Sequence, residues 1–169
     1  MSSKIRAVRV HRYAGLNRDG RPLASPIALS NLITIDEIDA PFCTEGHVLI
    51  STNYAGVQYP DMLQAQGLYQ QKPDLPYVPG MDLTGRVVEV GAGVDHVGVG
   101  DRVIAQVTIG ALAETVCVHA QSVWKAPNNV WSSAGNITGT LSRSFVTPVQ
   151  STDPAFLPGR IASSCRLMV

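Results

Sequence analysis

Two pairs of cysteine and histidine residues have spacings that metal-ligand sets use. Cys43 and His47 are separated by three residues, and Cys117 and His119 by one residue, which puts the second pair on one face of a strand. A zinc site takes three or four ligands of this type, and neither pair is completed by a second pair nearby in the sequence. We therefore expect buried cysteines and surface histidines here rather than a bound metal.

A glycine-rich stretch at residues 91–96 raises the question of a phosphate-binding loop. It follows a predicted strand, but His96 stands where the third glycine would be, and no helical pattern opens after it. The sequence also contains no Gly-x-x-x-x-Gly-Lys-Ser/Thr loop and no Gly-x-Ser-x-Gly nucleophile elbow. The pattern predicts a hairpin turn over residues 91–100, without a cradle for nucleotide phosphates.

The composition is typical of one globular domain with a tail. The 169 residues are 45% hydrophobic and 15% charged, with a mean hydropathy of +0.10. Thirteen basic and thirteen acidic residues give a net charge of zero, so we expect neither a nucleic-acid partner nor an anionic membrane partner. No apolar run approaches the roughly 18 residues of a membrane span.

The cysteines and the N-terminus bear on the cellular compartment. Cys43, Cys117 and Cys165 are an odd number at wide spacing, which argues against a disulfide framework. The first residues lack the apolar segment and cleavage site of a secretory signal. We expect a cytoplasmic protein, with a mitochondrial location as the alternative because residues 4–12 are poor in acidic side chains.

Short strands joined by glycine turns, with hardly any helix, predict a mainly β fold, a partly open β-barrel with one or two short helices. A helix is expected at residues 61–67, where an acidic residue opens and Gly67 closes a run of helix formers. The predicted strands lie within residues 1–13 and at residues 32–38, 47–52, 82–90, 101–108 and 113–118.

The connections are predicted from their turn residues. Residues 14–31 form a loop insertion, and three prolines make residues 72–79 a stiff extended segment. That segment ends at Gly80, a position where glycine is favoured because it can adopt a positive φ and has no Cβ atom. From residue 132 no helical or strand period is sustained, so we predict a domain over residues 1–131 and a divergent tail over 132–169.

Three stretches, taken in order and spacing, resemble a known family. It is the zinc-independent, quinone-oxidoreductase-type branch of the medium-chain dehydrogenase/reductases, and the resemblance is to its N-terminal GroES-like domain, over residues 4–127. The stretches are Gly-His-Val-Leu-Ile leading to Asn-Tyr-Ala-Gly-Val-Gln-Tyr-Pro-Asp (46–61), Gly-Leu-Tyr to Leu-Pro-Tyr-Val-Pro-Gly-Met-Asp (67–82), and Gly-Arg-Val-Val-Glu-Val-Gly through Gly-Val-Gly-Asp-Arg-Val (85–103).

The resemblance implies a cleft in which reduced nicotinamide meets a quinone or enone. The positions that match the lining of that cleft are Gln58, Tyr59, Asp61 and Tyr69. Gln58 can donate to a carbonyl oxygen, the tyrosines offer flat apolar faces, and capping of the short helix is the rival role for Asp61. Zinc-dependent relatives have a cysteine and a His-Glu pair where this chain has Gln58, Met81 and Asp82, so no zinc is expected.

The function implied is hydride transfer from NADPH to a quinone or a related enone. The family's nucleotide-binding Rossmann domain needs roughly another 100–200 residues, so we expect it to be absent from this chain and the chain to be inactive alone. The alternatives are a non-catalytic binding module, which forms a homo-oligomer through an exposed hydrophobic face, and one chain of a two-chain enzyme.

Overall fold

The computed structural model describes residues 3–16, 20–24 and 32–126, and these form a mainly β domain. The predicted tail and the boundary at residue 131 lie outside the described residues, so the domain division stays a prediction. The elements are β1 (Lys4–Val10), β2 (Ile33–Asp39), β3 (His47–Ala55), α1 (Tyr59–Gln66), β4 (Asp82–Val90), β5 (Arg102–Gln106), β6 (Thr115–His119), a single 3₁₀ turn (Ala120–Ser122) and β7 (Val123–Lys125).

Five strands form one antiparallel sheet in the order β6-β3-β4-β5-β7, and β1 and β2 form a separate hairpin. The hairpin joins the rest of the domain through isolated bridges from Ala7 to Ala113 and from Val10 to Tyr77. Within the described ranges no continuous ladder closes the two sheets into a complete barrel. The predicted mainly β, partly open architecture is therefore confirmed.

The core lies on the inner face of the five-stranded sheet. On β3, Val48 and Ile50 are fully buried while their neighbours His47 and Leu49 are only partly buried, as strand alternation requires. The other strands add buried aliphatic side chains to the same cluster: Leu83 and Val87 from β4, Val103 and Ala105 from β5, Val116 and Val118 from β6, and Val123 from β7. This packing fixes the ends of β3 and β4 relative to each other.

Helix α1 begins two residues earlier than the sequence predicts. Pro60 stands in its first turn, where the missing N–H of proline costs nothing, and the prediction started only at the following acidic residue. The helix ends at Gly67, whose φ of 75° is the left-handed conformation expected of a C-cap. Its buried residues include two polar ones, Asp61 and Gln64.

The predicted irregular segment at 72–79 and the predicted turn at 91–100 are confirmed, whereas much of the predicted loop insertion at 14–31 lies outside the described residues. The segment after residue 72 is irregular and pairs with β1, since Tyr77 and Val10 exchange backbone hydrogen bonds of 3.2 and 2.9 Å. Gly80 has a φ of 99°, and a Cβ atom there would lie 3.0 Å from the Ala111 Cβ atom. In the turn before β5, the Gly98 N–H donates to Asp101 Oδ2 at 2.8 Å.

Four predicted strands have different limits in the structure. The second strand lies one residue later than predicted, and the third continues to Ala55. The strand predicted at 101–108 forms only over β5, and the one predicted at 113–118 forms as β6, because Ala113 bridges to Ala7 of the hairpin instead. Among the described residues no helix is both long enough and apolar enough to cross a membrane.

Candidate functional site

The candidate site lies where β3 ends, α1 begins and β4 starts. Because β3 and β4 pair antiparallel, with Ala55 opposite Leu83, the residues that follow β3 lie beside those that precede β4. The Gly56 N–H donates to the Asp82 carbonyl oxygen at 3.2 Å, which continues this pairing by one bond. Two segments far apart in the sequence thus meet at the first turn of α1.

Three hydrogen bonds connect this junction, and we call Gln58, Asp61, Gly80 and Asp82 the Gln58 network. Gln58 Nε2 donates to Asp82 Oδ2 at 2.7 Å, and the Gln58 backbone N–H donates to Asp61 Oδ2 at 2.7 Å. The Gly80 N–H donates to Asp61 Oδ1 at 3.1 Å. Gln58 and Asp61 together form a capping box, in which the Gln58 side chain faces the backbone N–H of Asp61.

Both carboxyl groups of the network are costly to ionise. Asp61 is 4% exposed, and burial raises the pKa of Asp61 although two backbone N–H groups favour its charged form. Burial also raises the pKa of Asp82, and the bond from Gln58 offsets part of that effect. No basic side chain in the described part of the chain forms an ion pair with either group.

Asp82 has one oxygen that the fold leaves unsatisfied. Its Oδ1 atom is buried and has no hydrogen-bond partner among the described residues. A Cβ atom built on Gly56 would lie closer to that oxygen than any real Cβ contact allows, so only glycine at this position permits the carboxyl to sit there. The local backbone is therefore shaped around the Asp82 side chain.

The four residues that the resemblance marked are only partly brought together. Gln58 and Asp61 are bonded to each other, and the predicted capping role of Asp61 is confirmed by its bonds. Tyr59 lies beside them and is 70% exposed. Tyr69 follows the other end of α1, a helix whose eight residues span about 12 Å.

Sequence reasoning missed the role of Asp82 in this site. The sequence marked Asp82 only as a position that zinc-dependent relatives use for a ligand. Its bond to Gln58 spans 24 positions and depends on the register of β3 against β4. The signal that could have found it is the pairing of two predicted strands whose adjoining loops both carry polar residues.

The two cysteine and histidine pairs lie on the other end of β3 and come together there. His47 and His119 are cross-strand partners, with ring centroids 5.1 Å apart and an interplanar angle of 80°. The Nδ1 atom of His47 lies 2.8 Å from the Glu45 carbonyl oxygen, and that of His119 accepts the Gln121 N–H at 3.3 Å. Among the described residues no group of three or more ligand side chains is arranged to hold a metal.

The fold agrees with what comparison with known proteins finds. Residues 44–152 match the alcohol dehydrogenase GroES-like domain family, so the chain belongs to that family. The match passes residue 131 into the segment for which we predict a divergent tail.

Individual proteins indicate which members of this family the chain is similar to. Mouse quinone oxidoreductase-like protein 2 is 36% identical over 102 residues, which cover 60% of this chain and 29% of that protein. The crystal structure of the human synaptic vesicle membrane protein VAT-1 homolog-like protein aligns with a TM-score of 0.65 and 28% identity, covering 75% of this chain and 37% of that one. A mycobacterial protein solved in complex with NADPH aligns with a TM-score of 0.60 and 27% identity, covering 75% of this chain and 33% of its own length.

The chain therefore spans less than a third of the length of the curated relatives it matches. Its similarity is to the quinone oxidoreductase-like members of the medium-chain dehydrogenase/reductases.

Proposed function

We propose that this chain is the GroES-like part of an NADPH-dependent quinone oxidoreductase-like protein. Two findings support the proposal: family membership, and relatives whose names include quinone oxidoreductase-like proteins and an NADPH complex. The observation that carries it is the Gln58 network, in which a buried carboxyl group and a partly buried one lie around a half-buried amide where β3, α1 and β4 meet. Buried titratable groups with raised pKa values gather at functional sites more often than elsewhere.

The reaction proposed for the whole protein converts NADPH, a proton and a quinone into NADP⁺ and a hydroquinone. NADPH, when bound, supplies the hydride, which carries both electrons. The quinone oxygen gains negative charge in this step and then takes a proton from solvent. The chain's contribution is a hydrogen-bond donor beside that oxygen, and Gln58 is the residue proposed for it, with Tyr59 and Tyr69 as apolar walls.

The described residues offer no site for the phosphates of the cofactor. The glycine-rich turn at 91–96 connects two antiparallel strands and opens no helix. At the N-terminus of α1 the carboxyl group of Asp61 already occupies the place where an anion would sit. We propose that NADP(H) phosphates are held elsewhere in the whole protein, and that no zinc takes part, since Gln58, Met81 and Asp82 offer a single carboxylate ligand.

We propose that the chain has no reductase activity on its own. The test is to incubate the purified chain with NADPH and duroquinone, whose ring methyl groups block addition of the cysteine thiols, and to follow absorbance at 340 nm. The expected result is NADPH oxidation no faster than with a heat-denatured sample. Steady oxidation above that control, abolished in a Gln58→Met variant, would contradict the inactivity while supporting the proposed site.

A second candidate function is that of a binding module that forms a homo-oligomer. The observation in its favour is a set of large apolar side chains exposed in and around α1: Val57, Tyr59, Met62 and Leu68. Gel filtration with light scattering decides it, because a dimer that Met62→Lys converts to a monomer supports the module, and a monomeric wild-type chain contradicts it. We also propose a cytoplasmic location, with the mitochondrion as the alternative, in keeping with the free thiols of Cys43 and Cys117.

A further inference from the structure

The side chain of Gln58 lies between the start of β4 and the first turn of α1. One of its amide protons goes to Asp82 at the start of β4, at 2.7 Å, while its side chain also faces the first turn of α1 in the capping box. An ionised carboxyl can only accept hydrogen bonds, and a backbone N–H can only donate. The bond to an ionised Asp82 therefore sets the orientation of the amide, with its nitrogen toward Asp82 and its oxygen away from it.

In this orientation the second N–H group of the Gln58 amide is still to be accounted for. The primary amide of Gln58 has two protons, and among the described residues one of them has an acceptor, Asp82. The second proton is a donor on a half-buried side chain next to the exposed Tyr59. If the amide were reversed, its oxygen would face the Asp82 carboxyl and the site would present an acceptor instead.

One oxygen of the Asp82 carboxyl group has an unfavourable position in the fold. Its Oδ1 atom is buried without a partner, and Gly56 must lack a side chain to leave room for it. A buried polar atom without a hydrogen bond costs free energy, and an apolar side chain of the same size would avoid that cost. A residue that breaks a rule of stability in this way is expected where function requires it.

We propose that Asp82 is a positioning residue, which sets the orientation of the Gln58 amide so that its free N–H points to a ligand oxygen. This inference rests on the proposed function for the nature of the ligand, a quinone or enone carbonyl. It concerns the specificity of the site, because a cleft with a fixed donor selects ligands that carry an acceptor.

The test uses the side-chain amide signals of Gln58 in ¹⁵N-labelled protein. These signals are assigned by their loss in Gln58→Met. In the wild-type chain we expect one proton of the pair far downfield of the other, as its bond to a carboxyl requires. Asp82→Leu is expected to bring the chemical shifts of the two protons close together. Asp82→Asn keeps an oxygen acceptor and is expected to give an intermediate difference in chemical shift. Asp95→Asn, an exposed carboxyl in the β4–β5 turn, is the matched control and should leave them unchanged.

The proposal is contradicted if the chemical shifts of the two Gln58 amide protons differ as much in Asp82→Leu as in the wild-type chain. If that variant does not fold, Asp82→Asn decides, because unchanged protons there contradict the bond equally. A duroquinone titration forms the second arm. Loss of the fixed donor should weaken binding about five- to tenfold in Asp82→Leu.

The two arms separate the two proposals. If duroquinone leaves the Gln58 signals of the wild-type chain unmoved while Asp82→Leu still merges the proton pair, the proposed function is contradicted and the positioning by Asp82 stands. If duroquinone shifts those signals equally in the wild-type chain and in Asp82→Leu, the positioning is contradicted and the ligand class stands.

Discussion

Replacing Asp61 by alanine tests whether the Gln58 network stabilises the junction at α1. The carboxyl accepts two backbone N–H groups, from Gln58 at 2.7 Å and from Gly80 at 3.1 Å. The variant leaves the buried Gly80 N–H without a partner, which costs about 1–3 kcal/mol, and removes the cap of α1, which costs about 1 kcal/mol. Relief of the burial of a carboxyl whose pKa is raised offsets a part of this.

After this offset the net loss expected in the free energy of unfolding is about 2 kcal/mol. For a domain of this size that corresponds to a drop of about 8 °C in the unfolding midpoint. The assay is thermal unfolding followed by circular dichroism, with urea unfolding for the free energy. Asp95→Ala, an exposed carboxyl, should change the midpoint by no more than about 2 °C. A midpoint for Asp61→Ala as close to wild type as that of the control would show that the bonds of Asp61 do not stabilise the junction at α1.

Three further predictions concern other features of the fold. Gly80 has a φ of 99° and lies against packed side chains, so Gly80→Ala should lower the free energy of unfolding in urea by more than about 2 kcal/mol, whereas Gly93→Ala, at a φ of 80° in open space, should lower it by about 1 kcal/mol. Equal losses in the two variants would contradict the role of packing at Gly80. Because burial raises the pKa of Asp82, its neutral form favours folding below pH 3.8, and this contribution is lost as the pH rises through the raised pKa. In thermal unfolding at a series of pH values, Asp82→Asn should therefore gain stability relative to wild type between acidic and neutral pH. A difference that does not change with pH would show that the pKa of Asp82 is not raised. Glu114→Gln weakens the half-buried contact of Arg6 in β1 with the residue before β6, and should lower the free energy of unfolding by about 1 kcal/mol, against less than about 0.5 kcal/mol for Asp39→Asn in an exposed pair. The reverse order in urea unfolding would contradict this prediction.

Local signals in the sequence predicted most of the strands and turns. The strand at 82–90 forms over the residues predicted, because its apolar positions are flanked by Gly80 on one side and a glycine turn on the other. The left-handed glycine at 67 was also predictable, since a glycine that closes a helix has one common conformation. Such signals act between neighbours in the chain.

The site depends on contacts between distant residues, and these the sequence did not reveal. The bond from Gln58 to Asp82 requires the register of β3 on β4, and the contact of His47 with His119 requires that of β3 on β6. Neither register can be derived from the period of a single strand. The family resemblance marked Gln58 as a ligand-facing position, but not the residue that orients it.

The most direct test of the account is to map where a quinone binds on the chain. Duroquinone is added to ¹⁵N-labelled wild-type protein, and the shifts of the backbone and side-chain amide signals are recorded. We expect the largest shifts on the Gln58 side chain and on residues 56–61, with smaller ones at Tyr69 across the helix. Shifts confined to the other end of the sheet, around His47 and His119, or no shifts up to the solubility limit of duroquinone, would contradict the assignment of this junction as the ligand-binding site.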